Sequence, residues 1–449
     1  MELTAADVRA AAEAAFDDVR PELEAHIRTP SVSAQGFDPD LVRSSAEQTA
    51  QGLMRAEFKG VRLLEVDAAH PAVIGHAPGP EGSPTVLLYA HHDVQPAGPR
   101  KLWDSPPFEP TERDGRLYGR GAADNKAGIA IHAAALRAWE GRPPVGVTVL
   151  VEGEEEVGSP HLAAFLARYG ERLRADVIVF ADCASWRVGR PALTTSLRGI
   201  LDCTVEVRTL DHAVHSGRYG GLAPDALTTL CRLLATLHRR NGTVAVRGLR
   251  NCRIRSLDVD KTDLRQAAGL RPGVRMLGRG SLTGRLWGKP AVSVLRIDTG
   301  PDAEFAHRLV PAARAELSIR LAPGDDTRRA LRAIEEHLRR HAPWGAEVTV
   351  TVTKEGQPVR IATAGPAYQA FRRACIDTWG QPPVEPGSGG SLPLVAALAR
   401  TYPNAALLLT GAEDPGSMAH AENESVDLGD LRNCCVSEAL LLGHLGSAG

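Results

Sequence analysis

Residues 85–93 read Thr-Val-Leu-Leu-Tyr-Ala-His-His-Asp, an apolar run followed at once by imidazole and carboxylate groups. The run is rich in residues that favour strands and predicts a buried β-strand. Similar runs end at Val151, before Glu-Gly-Glu-Glu-Glu at 152–156, and at Phe180, before Asp182. Strands that alternate with helical segments predict an α/β fold, a mixed and mostly parallel sheet with helices on both faces. Such sheets form their sites beyond the carboxyl ends of the strands.

The composition is typical of a globular protein, with 449 residues, of which 43% are apolar and 24% charged. This length favours two domains over one. The formal net charge of −2 gives no general attraction to nucleic acid or to anionic lipid, so neither is an expected partner. The arginine pairs at 239–240 and 339–340 favour solvated helix ends over an anion site.

The chain opens without a basic and then apolar signal segment, and no apolar run is long enough to span a bilayer. The seven cysteines are odd in number and irregularly spaced, which favours reduced thiols. We therefore expect a cytoplasmic protein that makes no membrane contact.

The order of predicted elements divides the chain into three segments. Residues 1–195 and 359–449 show the strand–helix pattern of one catalytic domain, which begins with an amphipathic helix over 4–27 and a capping box at Thr4 and Asp7. Residues 196–358 follow the order β-α-β-β-α-β, which predicts an inserted ferredoxin-like domain. Within the insert, residues 241–288 are basic, Gly-rich and irregular, and we assign them no function.

Metal-binding and catalytic candidates follow several predicted strands or lie in loops: His91, Asp93, Asp124, Glu155, Glu156, Asp182 and His420. Each has an ordinary alternative, such as a surface histidine, an N-cap at Asp124 or a solvated acidic turn at 152–156. Together, two imidazoles and three carboxylates suit two zinc-like ions that share one bridging ligand. Asp93 could fix the tautomer of His91, and adjacent Glu155 and Glu156 allow one ligand and one proton carrier.

Two candidates lie in the predicted insert. His215 precedes a predicted helix in a His-Ser-Gly loop, and Arg320 lies on a predicted strand. They could be a loop histidine and an ion-paired arginine. Alternatively, the guanidinium fork of Arg320 could bind a substrate carboxylate, and His215 could donate to a developing oxyanion.

Taken together, these residues resemble the dinuclear zinc metallopeptidase family of aminoacylases, carnosinases and cytosolic non-specific dipeptidases. Acetylornithine deacetylase and succinyl-diaminopimelate desuccinylase are more distant members of this family. The resemblance covers nearly the full length and rests on motifs at 89–96, 119–126, 152–159, 215–217, 389–393 and 411–424. The Val-Gln-Pro at 94–96 is typical of the dipeptidase branch.

The resemblance implies two divalent ions per subunit, Zn²⁺ first, with Mn²⁺ or Co²⁺ as alternatives. It implies these ligands: His91 and Asp182 on one ion, Glu156 and His420 on the other, and Asp124 bridging both. Glu155 would be the general base that activates a metal-bridging water, and Asp93 would orient His91.

The same resemblance implies that the insert is a lid through which the protein forms a homodimer. His215 would reach the active site of the partner subunit. Arg320 would bind the terminal carboxylate of the substrate, and Gly390 and Ser391 would line the pocket.

Two positions depart from the dipeptidase pattern. Ser388 stands where Glu is usual, and His307 stands where a small hydroxyl residue is usual. The hydrolytic set is complete, so the primary hypothesis is a metal-dependent dipeptidase acting on a small peptide with a free carboxylate. The alternatives are an amidohydrolase or deacylase for an N-acyl amino acid or specialised metabolite, and a non-catalytic ligand-binding relative. A retained Glu155 argues against the last.

Overall fold

The computed structural model describes residues 3–66, 68–299 and 307–447. The helices are α1 (Ala5–Ile27), α2 (Pro39–Arg55), α3 (Lys126–Arg137), α4 (Leu162–Tyr169), α5 (Ser216–Tyr219), α6 (Ala226–Ala235), α7 (Lys261–Ala267), α8 (Leu282–Trp287), α9 (Thr327–His341), α10 (Pro366–Trp379), α11 (Pro393–Thr401) and α12 (Leu428–Gly446). Short 3₁₀ turns span Arg100–Leu102, Glu155–Val157, Gly170–Leu173 and Pro343–Gly345.

The strands are β1 (Lys59–Leu64), β2 (Ala72–Ala77), β3 (Thr85–His91), β4 (Thr111–Arg113), β5 (Arg116–Tyr118), β6 (Gly146–Glu152), β7 (Val177–Ala181), β8 (Ser196–Leu197), β9 (Gly199–Arg208), β10 (Val214–His215), β11 (Ala291–Asp298), β12 (Arg308–Leu309), β13 (Ala312–Leu321), β14 (Glu347–Gly356), β15 (Val359–Arg360), β16 (Ala406–Thr410) and β17 (Ser425–Asp427).

The chain divides into two compact units. The first unit comprises Met1–Thr195, Ala362–Pro386 and Ala397–Gly449, and the second comprises Ser196–Ile361 and Gly387–Ala396. The catalytic domain was predicted to include all of 359–449, whereas the stretch Gly387–Ala396 within this segment lies in the second unit. That stretch joins the second unit because Ser388 pairs with its first residues: the Ser388 N–H donates to the Ser196 carbonyl at 2.7 Å, and Arg198 N–H donates to the Ser388 carbonyl at 3.2 Å.

A six-stranded sheet forms the centre of the first unit, in the order β1-β2-β6-β3-β7-β16. Strands β6, β3, β7 and β16 run parallel, and β1 and β2 are antiparallel at one side. Every residue of β7 is buried, as is all of β3 after Thr85. Burial on both faces explains why these strands appear in the sequence as continuous apolar runs. The parallel strands end at one edge, where the polar residues that follow them meet.

Helix α1 begins at the predicted capping box, since Thr4 accepts from the Asp7 N–H and the Asp7 carboxylate accepts from the Thr4 N–H. Helices α1, α3 and α12 pack against one another, and α3 packs against β3. Helix α3 is buried almost throughout and includes Lys126, whose Nζ donates to the carbonyls of His26 and Thr29 at 2.6 and 2.7 Å. These contacts fix the start of α3, two residues after Asp124.

The second unit contains a four-stranded antiparallel sheet in the order β11-β13-β9-β14. Its chain order is β9-α6-β11-β13-α9-β14, which is the predicted ferredoxin-like order, with α7 and α8 inserted before β11. Alternate residues of β9 (Leu201, Cys203, Val205 and Val207) enter a core shared with α6 and α9. Residues 241–288 are less irregular than predicted, because they form α7 and α8. The predicted fold class, mixed α/β with a mostly parallel sheet, is confirmed.

Among the helices of the described ranges, none combines the length and the apolar character needed to cross a membrane.

Candidate metal centre

The first unit gathers seven predicted residues at the carboxyl-terminal edge of its parallel strands. His91 is the last residue of β3, Asp182 directly follows β7, and Glu155 lies in the 3₁₀ turn that follows β6. The other four are Asp93, Asp124, Glu156 and His420. The sheet topology therefore explains how residues 329 positions apart in sequence reach one place.

One group of potential ligands consists of His91, Asp124 and Asp182. The His91 Nε2 atom lies 3.0 Å from Asp124 Oδ1 and 3.4 Å from Asp182 Oδ1. One ligand atom from each of the three residues lies within 4.8 Å of the other two. All three residues are buried. This spacing is what a single ion needs if it is to replace the present contacts with metal–ligand bonds of about 2.0–2.2 Å.

A second group consists of Asp124, Glu156 and His420, again with ligand atoms within 4.8 Å of one another. The His420 Nε2 atom lies 2.9 Å from Asp124 Oδ2 and 3.1 Å from Glu156 Oε2. Asp124 thus presents one oxygen to each histidine. A carboxylate with this arrangement can bridge two ions.

Asp93 is fully buried beneath His91. Its carboxylate accepts hydrogen bonds from the Ser33 hydroxyl at 2.7 Å and from the backbone N–H groups of Glu155 and Glu156 at 3.3 and 3.1 Å. The Nδ1 atom of His91 lies 3.1 Å from the Asp93 carbonyl oxygen and 3.4 Å from its Oδ1. Because these oxygens can only accept, Nδ1 carries the proton and Nε2 is left free to bind a metal.

The electrostatics of this edge are dominated by carboxylates. Burial and the charge of Asp182 raise the pKa of Glu155 well above its ordinary value. Burial, with the nearby charge of Asp124 among the smaller causes, raises the pKa of Asp182 to about 6. Hydrogen bonds to Asp124 and Glu156 raise the pKa of His420 to about 11. Carboxylates this close together require neighbouring positive charge, which a divalent ion can supply.

The residues fit a pair of divalent ions on two further grounds. The Oδ2 atom of Asp182 is buried and has no hydrogen-bond partner among the residues that the structure describes, which is costly for a carboxylate unless a cation binds it. The donors are imidazole nitrogens and carboxylate oxygens, a set that zinc-class ions accept. A pair of divalent ions therefore accounts for this group of residues better than hydrogen bonds among the residues alone.

Sequence reasoning assigned no role to a buried ion pair that holds the loop of Asp124. Arg120 and Glu424 are 1% and 0% exposed, and Arg120 Nη1 donates to Glu424 Oε2 at 2.5 Å. The Glu424 carboxylate also accepts from the backbone N–H groups of Gly121, Ala123 and Asp124, each at 3.0 Å. A Cβ atom at Gly121, where φ is +83°, would lie 2.6 Å from Val94. The signal that could have revealed the pair is the presence of both residues within the quoted motifs.

Gln95 was also missed. Its side-chain amide donates to Glu156 Oε2 at 2.9 Å, and its backbone N–H donates to Glu156 Oε1 at 3.1 Å. These two bonds fix the orientation of the carboxylate, so Gln95 positions a potential ligand.

The structure places the other predicted site residues in the second unit. Arg320 lies on β13 and is half-buried. Burial and the charge of Arg320 lower the pKa of Arg198 to about 10, so two guanidinium groups lie near each other. The Nδ1 atom of His215 accepts from the Gly217 N–H at 3.0 Å, which leaves the proton of a neutral ring on Nε2. The Gly390 N–H donates to Ser388 Oγ at 3.1 Å, and Ser391 follows at the end of this turn.

Comparison with known proteins gives a consistent result. The family model of peptidase family M20/M25/M40 matches residues 87–443. A cysteinylglycine-S-conjugate dipeptidase of Corynebacterium striatum is 35% identical over 367 residues, which cover 80% of this chain and 81% of the relative. A Beta-Ala-His dipeptidase of Rattus norvegicus is 29% identical over 378 residues, with 80% and 76% covered.

Solved structures show the same fold. Human carnosine dipeptidase 1 matches with a TM-score of 0.80 at 23% identity, covering 99% of both chains. The M20 family metallo-carboxypeptidase Sso-CP2 from Sulfolobus solfataricus matches with a TM-score of 0.80 at 23% identity, covering 95% of this chain and 98% of that one. At this identity the likeness concerns the fold alone.

Proposed function

The chain belongs to peptidase family M20/M25/M40, as the sequence resemblance predicted, and we propose that it is a metal-dependent dipeptidase that cleaves small peptides with a free carboxylate. The observation that carries the proposal is the position of Asp124. It lies between two ligand groups, His91 with Asp182 and His420 with Glu156. We propose Zn²⁺ for both ions, because imidazole and carboxylate donors in groups of three are typical of catalytic zinc.

The bound ions would lower the pKa of a water molecule and polarise the carbonyl of the scissile bond. Glu155 is the proton carrier: it takes the proton of the attacking water and delivers it to the departing amine nitrogen. Burial and the charge of Asp182 raise the pKa of Glu155, which makes its carboxylate a stronger proton acceptor. Asp93 keeps the ring of His91 in one tautomer and one orientation.

Residues of the second unit would bind the substrate. The planar guanidinium group of Arg320 can donate two hydrogen bonds to a terminal carboxylate, and the positive charge of the nearby Arg198 also favours an anion. A neutral His215 ring carries its proton on Nε2, which can donate to a tetrahedral oxyanion. Gly390 and Ser391 are proposed to line the pocket.

We propose that the protein is a homodimer formed through the second unit. Strand β11 lies at the edge of the four-stranded sheet and exposes Val294, Leu295 and Ile297, which are 42%, 62% and 44% exposed. Apolar side chains on an unpaired edge strand favour coverage by another chain. A cytoplasmic location is also part of the proposal, and it agrees with seven cysteines that are all free.

Because Ser388 and His307 depart from the dipeptidase pattern, one alternative should be tested, namely an amidohydrolase for N-acyl amino acids. A panel should compare Cys-Gly, β-Ala-His and other dipeptides with N-acetyl and N-succinyl amino acids, and with dipeptide amides that lack the carboxylate. Fast hydrolysis of dipeptides and slow hydrolysis of their amides supports the proposal. A preference for N-acyl amino acids by tenfold or more in kcat/KM would replace it by the alternative.

The role of Glu155 has a direct test. Glu155→Gln should retain its metal, measured by elemental analysis, and lose about 10²- to 10⁴-fold in kcat, because only the proton carrier is removed. Glu154→Gln is the matched control: the neighbouring carboxylate lies in the same turn but bonds to His161 and the His70 N–H. Near-normal turnover in Glu155→Gln would refute its role. Tight dipeptide binding by the metal-loaded wild type without turnover would instead indicate a non-catalytic binding protein.

A further inference from the structure

A basic cleft of about 490 Å³ lies in the second unit, between one face of α9 and the chain that follows α6. Three arginines line it, namely Arg239, Arg247 and Arg340, together with the imidazoles of His337 and His341. None of these residues belongs to the metal centre or to the proposed substrate site. The cleft is therefore a feature that the hydrolytic reaction leaves unexplained.

Local folding brings the arginines together from distant positions. On α9, residues 333, 337, 340 and 341 recur at helical spacing and so share one face. Beyond α6 the chain reverses through a turn: the Arg239 N–H donates to the Thr243 carbonyl and the Ala245 N–H donates to the Leu237 carbonyl, both at 2.8 Å. This reversal places Arg239 and Arg247 beside that face of α9.

The charge in the cleft is unbalanced. Arg340 forms an ion pair with Glu336, the one carboxylate among the lining residues. Among the described residues, no carboxylate oxygen lies within 4.0 Å of a guanidinium nitrogen of Arg239 or Arg247, so neither arginine forms an ion pair there. Guanidinium groups that converge in a concave surface concentrate positive potential and suit the oxygens of a phosphate group.

The floor of the cleft is an ordered polar surface. His337 is 7% exposed, and its ring stacks on that of His341 with centroids 4.2 Å apart. The Thr236 hydroxyl donates to the Leu233 carbonyl at 2.7 Å, so it accepts from His337 Nε2 at 3.0 Å. His341 Nδ1 donates to the His337 carbonyl at 2.8 Å, which fixes the orientation of this ring. The two rings are thus held in place before any ligand binds.

We propose that this cleft binds the phosphate group of a small phosphorylated molecule. The two unpaired arginines match the two negative charges of a phosphate monoester. The volume exceeds that of a single phosphate group and accommodates an attached organic group. The proposal concerns the second unit alone and does not depend on dipeptidase activity.

The test measures binding of inorganic phosphate and of ADP to the full-length, zinc-loaded protein by isothermal titration at low ionic strength. We expect saturable binding that weakens with added salt. In the double variant R239Q/R247Q the Kd should rise tenfold or more, since each lost charge-assisted hydrogen bond costs about that factor. The matched control is Arg332→Gln, an exposed arginine on the same helix that lies outside the cleft, and it should bind as the wild type does.

A second measurement uses the wild type only, so it does not rely on the folding of a variant. Phosphate or ADP should protect Arg239 and Arg247, but not Arg332, from modification by phenylglyoxal, as read by mass spectrometry. ADP affinity above that of phosphate identifies an organic phosphate as the ligand, and equal affinities identify free phosphate. Absence of saturable binding to the wild type, or equal affinity in R239Q/R247Q and R332Q without protection, overturns the proposal.

Discussion

Replacement of Glu424 by Gln should weaken both the fold and the metal centre. Oε2 of Glu424 accepts from Arg120 and from the Gly121 N–H, and Oε1 accepts from the N–H groups of Ala123 and Asp124. Glutamine has the same size, but it carries no charge and one of its two positions is an NH₂ donor. Whichever way the amide is turned, two of the four donors lose their acceptor, and the charge of Arg120 loses its partner.

The magnitude follows from burial, since Arg120 and Glu424 are 1% and 0% exposed. Loss of one partner of a buried ion pair costs about 3–5 kcal/mol in free energy of unfolding, because the remaining charge stays buried. Unsatisfied N–H groups cost about 1–3 kcal/mol each, but the two effects share one site and do not add in full. Because Glu424 also holds the backbone of Asp124, zinc affinity should fall about 10- to 100-fold.

The assay is urea unfolding of the chelated protein, followed by competition for zinc with a chromophoric chelator. Glu112→Gln is the matched control: Glu112 pairs with Arg20 on the surface, where its side chain is 46% exposed, so its loss should cost under about 1 kcal/mol. If Glu424→Gln unfolds at the urea concentration of Glu112→Gln and binds zinc as the wild type does, the ion pair does not hold the Asp124 loop.

The remaining predictions concern the ions, a second buried pair and the subunit arrangement. Chelation should abolish activity and lower the thermal midpoint of unfolding, and added zinc should restore both. The reason is that a ligand present at about 1,000 times its Kd stabilises the folded protein by about 4 kcal/mol. An unchanged thermal midpoint after chelation would argue against the metal centre. Burial lowers the pKa of His132, but the charge and hydrogen bond of Glu438 and the hydrogen bond to the Tyr89 carbonyl together outweigh burial and raise this pKa above its ordinary 6.5. The stabilising effect of the His132–Glu438 pair is therefore complete below pH 6.5 and is lost as the pH rises through the raised pKa. Urea unfolding from pH 5.5 to 9 should therefore show the deficit of His132→Gln shrinking as the pH rises. Mixing His215→Ala with Glu155→Gln protein should restore part of the activity if His215 acts across subunits, and no recovery after confirmed subunit exchange would contradict this.

The parallel strands were predictable because burial on both faces leaves a clear signal in the sequence. The runs before His91 and Asp182 are apolar without interruption, because both faces of such a strand are buried and no side chain faces water. Polar residues at the ends of such strands must then lie at one edge, and the structure places His91 and Asp182 there. The strands of the insert were predictable for a different reason: β9 alternates between core and surface residues, which is the pattern of a strand that is covered on one face only.

No local feature of the sequence indicates whether residues 387–396 belong to the first or to the second unit. Whether a segment joins one unit or the other depends on which backbone it pairs with, and Ser388 pairs with Ser196, which is 192 positions earlier. Composition carries no information about such a pairing. The same holds for the basic cleft, where the turn after α6 brings Arg239 beside Arg340; the sequence alone favoured solvated helix ends.

The position of His420 shows most clearly what local sequence cannot determine. Met418, His420 and Asn423 have φ values of 55°, 65° and 61°; this left-handed conformation is common for asparagine but costs about 1–2 kcal/mol for a residue such as Met418 or His420. Tertiary contacts offset this cost: Arg120 donates to the Ala421 carbonyl at 3.1 Å, and the Asn423 side chain accepts from the Asp104 N–H at 2.9 Å. A strained loop held by distant partners points to function, because selection for stability alone would relax it. In this left-handed loop conformation the His420 imidazole lies 2.9 Å from Asp124, and we expect that a change that releases the loop reduces metal affinity before it reduces the stability of the sheet.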